Sequence, residues 1–147
     1  MGIRPSSRFS YALKALVDLA VHQRTGPVTV AAIAKRQAIP ARSLEQLFNR
    51  LRHSGLVEAE RGPRGGYRLG RPAGRIPVRA VFEALEPKMP ASKQRLPAAP
   101  DDPARSVWRQ VESAVRTTLD ATTLEALAAQ FQEKAATPMK HRYTFHI

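Results

Sequence analysis

The side chains best suited to bind a nucleic acid are concentrated between residues 43 and 69 of the chain. The first part of this stretch has the spacing of an amphipathic helix, with apolar residues three and four positions apart on one face. These apolar residues are Leu44, Leu47, Phe48 and Leu51. The opposite face carries Glu45, Gln46, Asn49, Arg50 and Arg52. Amide, carboxylate and guanidinium groups arranged in this way can hydrogen-bond to base edges and phosphates, although a solvated surface helix would show the same pattern.

The turn that follows this helix favours the binding interpretation. Gly55 tolerates the left-handed conformation in which helices often end. Two short strand-like runs, 56–60 and 67–69, then flank the sequence RGPRGG, whose proline fixes a turn and whose glycines permit positive φ. Arg61 and Arg64 lie in this turn without an evident packing role. The pattern predicts a winged helix-turn-helix, with the helix in a major groove of DNA and the arginine tip in a neighbouring minor groove.

The charge of the chain indicates a polyanionic partner. The 147 residues include 24 Lys and Arg against 12 Asp and Glu, which gives a formal net charge of +12. Between residues 35 and 79 the acidic residues are only Glu45, Glu58 and Glu60. The hydrophobic share of 43% is sufficient for a core. A folded protein with a basic surface on its helix-and-hairpin half is therefore expected, with a nucleic acid as its partner. The charge does not distinguish DNA from RNA, and it is the winged helix-turn-helix pattern that indicates double-stranded DNA.

Several classes of function are excluded or disfavoured. The chain has no cysteine, which excludes disulfides, thiolate metal sites and cysteine-ligated clusters. No apolar run has the length of a membrane span and the first residues lack a signal-peptide core, so we expect a cytoplasmic protein without a membrane partner. The glycine-rich turn lacks the Lys-Ser/Thr of a nucleotide-binding loop. The four histidines are scattered, and only His141 and His146 could chelate a metal together. We predict no catalytic residues, no metal and no cofactor, and hence no enzyme.

Two further helices precede the helix that carries Leu44 to Leu51, which is the predicted recognition helix of the winged helix-turn-helix. Ser6 or Ser7 can cap the first, which runs to about residue 23, with Lys14 and Asp18 on its wetter side. Thr29 can cap the second, residues 30–37, whose Ala31, Ile33 and Ala34 are expected to pack inward. Pro40 then stands near the start of the third helix. This order of elements has the spacing of a helix-turn-helix, in which the second helix supports the third.

An apolar stripe on a helix in the second half of the chain predicts dimerisation. A fourth helix spans residues 78–86, and a proline-rich loop separates it from a fifth that Asp101 or Asp102 can cap. This fifth helix carries a stripe of apolar residues three and four positions apart: Val107, Trp108, Val111, Val115 and Leu119. The stripe either packs on its own domain or is covered by a second copy, and the intervening loop favours the second copy. Thr122 or Thr123 can cap a last helix lined by Leu124, Leu127, Ala128 and Phe131.

The predicted fold is therefore mainly α, a winged helix-turn-helix with a two-stranded β-wing, followed by a long dimerisation helix. Its predicted divisions are a DNA-binding domain at 1–86, a proline-rich loop at 87–103, dimerisation helices at 104–134 and a basic tail at 135–147.

Several motifs of the chain resemble those of the Rrf-type family of bacterial transcription regulators, which includes IscR, NsrR and CymR. The motifs are Tyr11-Ala12-Leu13, Gly26-Pro27-Val28, Ile33-Ala34, Leu44-Glu45-Gln46-Leu47-Phe48, Leu51-Arg52, Gly55-Leu56-Val57, Arg61-Gly62-Pro63, Gly65-Gly66-Tyr67 and Trp108-Arg109. The likeness covers roughly residues 6–130, and it implies a homodimeric winged-helix regulator with a long dimerisation helix. Many members hold a cluster with three cysteines in the loop before that helix. This chain has none there, so it resembles a cysteine-less member.

The resemblance also implies which residues contact DNA. It places Arg42, Glu45 and Gln46 at base-reading positions and Arg61 at the wing tip in the minor groove. The full predicted DNA-binding set is Arg42, Ser43, Glu45, Gln46, Asn49, Arg50, Arg61 and Arg64.

The signal to which such a regulator responds stays open. A small-molecule effector could bind between the fourth helix and the dimerisation helix, near Phe82 and Trp108, unless both residues are plain core. The alternative function is a regulator or adaptor controlled by contact with a partner enzyme.

Overall fold

The computed structural model describes residues 5–85 and 102–136 of the chain, with side chains through residue 132. Within these ranges the fold is mainly helical with one antiparallel two-stranded sheet, as predicted. Its elements are α1 Ser7–His22, α2 Val30–Gln37, α3 Ala41–His53, β1 Val57–Glu60, β2 Gly66–Leu69, α4 Val78–Leu85, α5 Pro103–Ala121 and α6 Leu124–Ala136. Short 3-10 turns at Gln23–Thr25 and Ala73–Arg75 join α1 to the following loop and β2 to α4.

Side-chain caps set where four of the helices begin. The Ser6 hydroxyl accepts from the Phe9 amide at 3.2 Å, and the Thr29 hydroxyl accepts from the Ala32 amide at 3.1 Å. At α5 the Asp102 carboxylate accepts from the Ala104 amide at 3.0 Å, and at α6 the Thr123 hydroxyl accepts from the Ala126 amide at 3.2 Å. The short polar side chains of these four residues satisfy amides that the first turn leaves unpaired. At α1, α5 and α6 the structure thus selects one residue where the sequence left two candidates, and at α2 it confirms Thr29.

One core joins the helices to the base of the hairpin. Its fully buried side chains come from α1, α2, α3, the hairpin, α4 and the first residue of α6. The largest of them are Phe48, Leu16, Leu19, Ile33, Leu44, Leu51, Leu56, Ile76, Leu85 and Leu124. Because Leu124 lies in this core, α6 packs on the winged domain and returns the chain to α1.

The hairpin is held against the core by its own strands and by the loop before α2. Strands β1 and β2 pair antiparallel with Val57 opposite Leu69, and Tyr67 exchanges two backbone hydrogen bonds with Val28, of 2.7 and 2.9 Å. Gly66 has a φ of 154°, and a Cβ there would lie 2.6 Å from the Val28 backbone. A side chain at Gly66 would therefore separate the hairpin from the loop.

The end of α5 is fixed to the winged domain. The Val78 amide donates to the Thr122 carbonyl at 2.8 Å, and the Leu124 amide donates to the Ile76 carbonyl at 3.0 Å. Beside these bonds, the Arg79 guanidinium on α4 lies 3.1 Å from the Asp120 carboxylate on α5. The C-terminal end of α5 therefore has a defined place on α4.

Two sequence-based assignments of side-chain direction were wrong. Asp18, expected on the wetter side of α1, is only 3% exposed. Ala31, expected to pack inward, is exposed, because it lies two residues before the buried Ile33, and two residues are roughly 200° of helix rotation. In an eight-residue helix only one narrow face, at Ile33 and Ala34, reaches the core.

Asp18 is buried because two residues of α2 bind it. Arg36 donates to both carboxylate oxygens, at 2.6 and 2.9 Å, and the Gln37 amide donates at 2.9 Å. Burial raises the pKa of Asp18, but the hydrogen bonds from Arg36 and Gln37 and the positive charge of Arg36 outweigh it, so the pKa lies below its ordinary value of 3.8. The bond from Asp18 raises the pKa of Arg36. This ion pair ties α1 to the helix that supports α3.

Some predicted features lie outside the described residues. They are nearly all of the proline-rich loop, the alternative cap Asp101, the basic tail beyond residue 136, and His141 and His146 within it. The division into a domain, a loop, dimerisation helices and a tail therefore stays a prediction.

We predict that Asp18→Asn lowers the free energy of unfolding by about 2–3 kcal/mol, because it removes the charge that binds Arg36. Chemical denaturation near neutral pH measures this decrease. The matched control is Asp120→Asn, whose ion pair with Arg79 is nearly half exposed on both sides and contributes about 0–1 kcal/mol.

The same pair predicts a pH dependence. Because the folded pKa of Asp18 is lowered, its stabilisation is complete above 3.8 and is lost as the pH falls through the folded pKa. The difference in stability between the wild type and Asp18→Asn should shrink in that acidic range. A difference that stays constant across it would contradict the role of the ionised pair.

Candidate nucleic-acid interface

The outer face of α3 is an exposed polar surface. Arg42, Glu45, Gln46 and Asn49 are all exposed, and their spacing places them along one side of the helix. The opposite side is buried through Leu44, Leu47, Phe48 and Leu51. Ser43 lies at the border and is half-buried. The structure thus brings four of the predicted DNA-binding residues together on a solvent-facing surface.

Both ends of α3 are fixed. At its start, the turn from α2 passes through Ala38 in the left-handed conformation, with a φ of 53°, and buries Ile39. At its end, the Leu56 amide donates to the Leu51 carbonyl and the Gly55 amide to the Arg52 carbonyl, each at 3.0 Å. This pair of bonds is a Schellman motif, with Gly55 at a φ of 78°, as the sequence predicted.

Arg50 has a structural partner that the sequence did not indicate. Its Nη1 donates to the backbone carbonyl of Leu85, the last residue of α4, at 3.1 Å. The contact spans 35 positions of sequence, so it depends on how α3 and α4 pack. Arg50 therefore connects the C-terminal ends of the two helices, while its other N–H groups stay available.

The wing tip presents two arginines to solvent. Arg61 and Arg64 are exposed, and neither forms an ion pair or side-chain hydrogen bond with any residue that the structure describes. Within the strands, Arg68 instead binds Glu60 of the opposite strand and donates to the Gln23 carbonyl at 3.3 Å. The arginines of the tip are thus unpaired, whereas the arginine of β2 is neutralised.

An aromatic contact fixes the wing relative to α3. The rings of Phe48 and Tyr67 lie 4.7 Å apart at an interplanar angle of 50°. Phe48 is fully buried and Tyr67 half-buried. Sequence analysis missed one further anchor, Gln23, whose side-chain oxygen accepts from the Leu69 amide at 2.9 Å. A glutamine after a helix carries no signal for this role, because the contact is with a strand 46 positions away.

A cleft of about 230 Å³ separates the start of α1 from α3. Its lining residues are Ser7, Arg8, Tyr11, Ser43, Gln46, Leu47 and Arg50. Arg8 was not among the predicted site residues, because the sequence placed the first helix in the core. The cleft adjoins the polar face of α3 through Ser43 and Gln46.

The predicted dimerisation stripe is exposed along most of α5. Val107 is 58% exposed, Trp108 55%, Val111 41% and Val115 48%, whereas Leu119 is half-buried near the end that contacts the winged domain. The helix has no buried residue. An apolar stripe of this length on a helix surface indicates an interaction face.

The hypothesis of an effector between α4 and α5, near Phe82 and Trp108, stays a prediction. Phe82 packs edge-on against Phe9 of α1, with ring centres 5.7 Å apart. The described residues that line the space beside Trp108 belong to α5 and its cap: Asp102, Ala104, Arg105, Trp108, Arg109 and Glu112. An apolar cavity of about 570 Å³ lies instead between α1 and α6, and its size is within the range of small-molecule sites. It is lined mainly by Phe9, Leu13, Val17, Val21 and Leu127.

Two kinds of feature are absent from residues 5–85 and 102–136. No helix in these ranges is long and apolar enough to cross a membrane. Likewise, no group of three or more potential metal ligands comes together among the side chains described there.

Comparison with known proteins agrees with this geometry. The sequence model of the Rrf2 family, described as an iron-dependent transcriptional regulator, matches residues 5–130. The HTH-type transcriptional regulator IscR of Xenorhabdus nematophila is 40% identical over 129 residues, which cover 85% of this chain and 79% of that protein. IscR of Yersinia enterocolitica is 38% identical with the same coverage.

Two solved structures share the fold over nearly the whole chain. CymR (YrzC), the global cysteine regulator of B. subtilis, superposes with a TM-score of 0.76 at 33% identity, covering 88% of this chain and 98% of CymR. IscR of T. potens superposes with a TM-score of 0.77 at 34% identity, covering 91% and 92%. The chain therefore belongs to the Rrf2 family of DNA-binding, winged helix-turn-helix transcriptional regulators, as a member without cysteine.

Proposed function

We propose that two copies of this chain bind duplex DNA sequence-specifically, each with α3 in the major groove and the wing in the adjacent minor groove. The observation that carries the proposal is the exposed face of α3, where Arg42, Glu45, Gln46 and Asn49 lie with their apolar neighbours buried behind them. An α-helix fits the major groove, where each base pair presents a distinct pattern of donors and acceptors. A net charge of +12 supports binding to the phosphates on either side.

The residues on this face have complementary roles in the proposal. The Gln46 amide can both donate to and accept from the N7 and N6 positions of an adenine, and the Glu45 carboxylate can accept from a cytosine N4. Arg42 can bind the O6 and N7 of a guanine or a nearby phosphate. Together these contacts would read sequence rather than charge alone.

The wing supplies a second contact with the same duplex. Arg61 and Arg64 stand at a glycine-containing turn, unpaired with any acidic residue in the described part of the chain. A narrow minor groove has a strongly negative potential that attracts inserted arginines. Because Phe48 and Tyr67 lock the wing against α3, the two elements would engage adjacent grooves as one rigid unit.

The exposed stripe of α5 supports a homodimer. Val107, Trp108, Val111 and Val115 would be covered by the same helix of a second copy around a two-fold axis. Two recognition helices related in this way reach half-sites about 34–36 Å apart, one turn of DNA.

The signal does not come from a cysteine-ligated cluster. The sequence contains no cysteine, so no thiolate ligand is available anywhere in it. We infer that regulation passes instead through a small molecule or a partner protein, and the apolar cavity between α1 and α6 is the better candidate for the former.

We predict that Gln46→Ala weakens binding to a duplex selected from genomic fragments by roughly 5- to 150-fold, about 1–3 kcal/mol, with little effect on random DNA. The reason is that the amide reads a base and not the backbone. Fluorescence anisotropy on both duplexes measures the effect, and Gln130→Ala, an exposed glutamine of α6, is the control. Equal decreases in affinity on the two duplexes would contradict the assignment of Gln46 as a base-reading residue.

Arg61→Ala should weaken binding and make its salt dependence shallower, by about 0.9 in the log–log slope for each phosphate that the arginine no longer neutralises. It should also reduce any preference for A·T-rich sequence beside the half-sites, because narrow A·T-rich minor grooves attract arginine. Arg116→Ala on α5 removes the same charge and should change neither. If both variants behave alike, the wing does not enter the minor groove.

Val111→Glu should convert the dimer to a monomer, because it places a carboxylate in the middle of the apolar stripe. Light scattering coupled to size-exclusion chromatography measures the mass directly. Ser113→Glu adds the same charge on the opposite side of α5 and should stay dimeric. A wild-type chain that is already monomeric would contradict the dimer and favour a partner protein on the stripe.

A further inference from the structure

The cleft between α1 and α3 has the composition of an anion site. Among the described residues that line it, the two charged ones, Arg8 and Arg50, are both cations and none is acidic. Arg50 is held by the Leu85 carbonyl, whereas Arg8 is exposed and has no side-chain partner within the described ranges. Two like charges directed to one cleft without a carboxylate favour an anion from outside the chain.

The other lining groups are also suited to phosphate. The hydroxyls of Ser7, Tyr11 and Ser43 and the amide of Gln46 belong to the side-chain types that, with arginine, bind phosphate and sugar oxygens of DNA. Packing between α1 and α3 would not require this set, because Arg8 is exposed while the contacts with the core on α1 come from residues such as Ala12 and Leu16.

The position of the cleft identifies the source of the anion. Ser43 and Gln46 line the cleft and also belong to the surface of α3 proposed to face the bases. An anion bound in the cleft would therefore lie beside the major groove that α3 occupies. The backbone phosphates of the same duplex run along that edge.

We propose that this cleft binds a backbone phosphate of the DNA whose bases α3 reads, with Arg8 as its main cation and Arg50, Ser43 and Tyr11 as supporting donors. The proposal rests on the proposed function and adds α1 to the DNA-binding surface. A phosphate fixed between α1 and α3 sets the register of α3 along the groove without reading sequence itself.

The test uses the full chain and a short random-sequence duplex, so no operator needs to be known. Anisotropy titrations between about 50 and about 200 mM salt give the slope of log affinity against log salt. Arg8→Ala should weaken binding and make the slope shallower by about 0.9 per protomer, since one phosphate is no longer neutralised. The proportional decrease in affinity should be the same on a selected duplex, unlike that of Gln46→Ala.

Three variants serve as controls. Arg75→Ala removes another exposed arginine, from a turn that packs on α6, and it should leave the slope unchanged. Arg8→Lys keeps the charge and should keep most of the slope. Tyr11→Phe removes one hydroxyl and no charge, so it should weaken binding on both duplexes without altering the slope. Thermal unfolding should be unchanged in Arg8→Ala, because the side chain is exposed.

Two outcomes would overturn the proposal. One is an Arg8→Ala slope equal to that of Arg75→Ala while the wild type binds DNA normally. The other is binding of inorganic phosphate that depends on Arg8 while the DNA slope does not change, which would indicate a site for a free anion. A wild-type chain that binds neither duplex would instead refute the proposed function.

Discussion

Burial of the apolar face of α3 orients both this helix and the wing. Leu44, Phe48 and Leu51 are completely buried, and Leu47 nearly so. At about 1.5–3 kcal/mol for each large apolar side chain removed from water, this face fixes the rotation of the helix. The polar face must then point outward. The same Phe48 contacts Tyr67, so the residue that orients α3 also positions the wing beside it.

The basic charge of the chain is divided between two tasks. Some arginines connect elements: Arg36 joins α2 to α1, Arg50 joins α3 to α4, and Arg79 joins α4 to α5. Others have no partner among the described residues and face solvent, and among them are Arg8, Arg42, Arg61 and Arg64. Net charge therefore overstates the surface proposed to contact DNA. That surface is defined by the unpaired arginines on or beside α3 and at the wing tip, whereas exposed arginines such as Arg75 and Arg116 lie elsewhere.

Two of the connecting arginines, Arg79 and Arg50, also link α5 to α3 through α4. The end of α5 is held to α4 by Arg79 and by backbone bonds, and the end of α4 is held to α3 by Arg50. If α5 pairs with a second copy as proposed, these contacts connect that interface to α3. This gives a cysteine-less member of the Rrf2 family a physical connection between its two proposed interfaces.

The local features could be predicted from residue order: the helix starts to within one residue, the end of α3 at Gly55, the amphipathic face of α3 and the arginine-bearing turn. These follow from the spacing of neighbouring residues, where a period of 3.6 or a glycine in a left-handed position has few alternatives. The packing of the helices, in contrast, establishes which polar side chains bind each other inside the protein. Asp18 is buried because Arg36 reaches it from another helix, and Arg8 becomes part of a cleft because α1 lies beside α3. Such pairings depend on the distances between helices, which the spacing of residues along one helix does not specify.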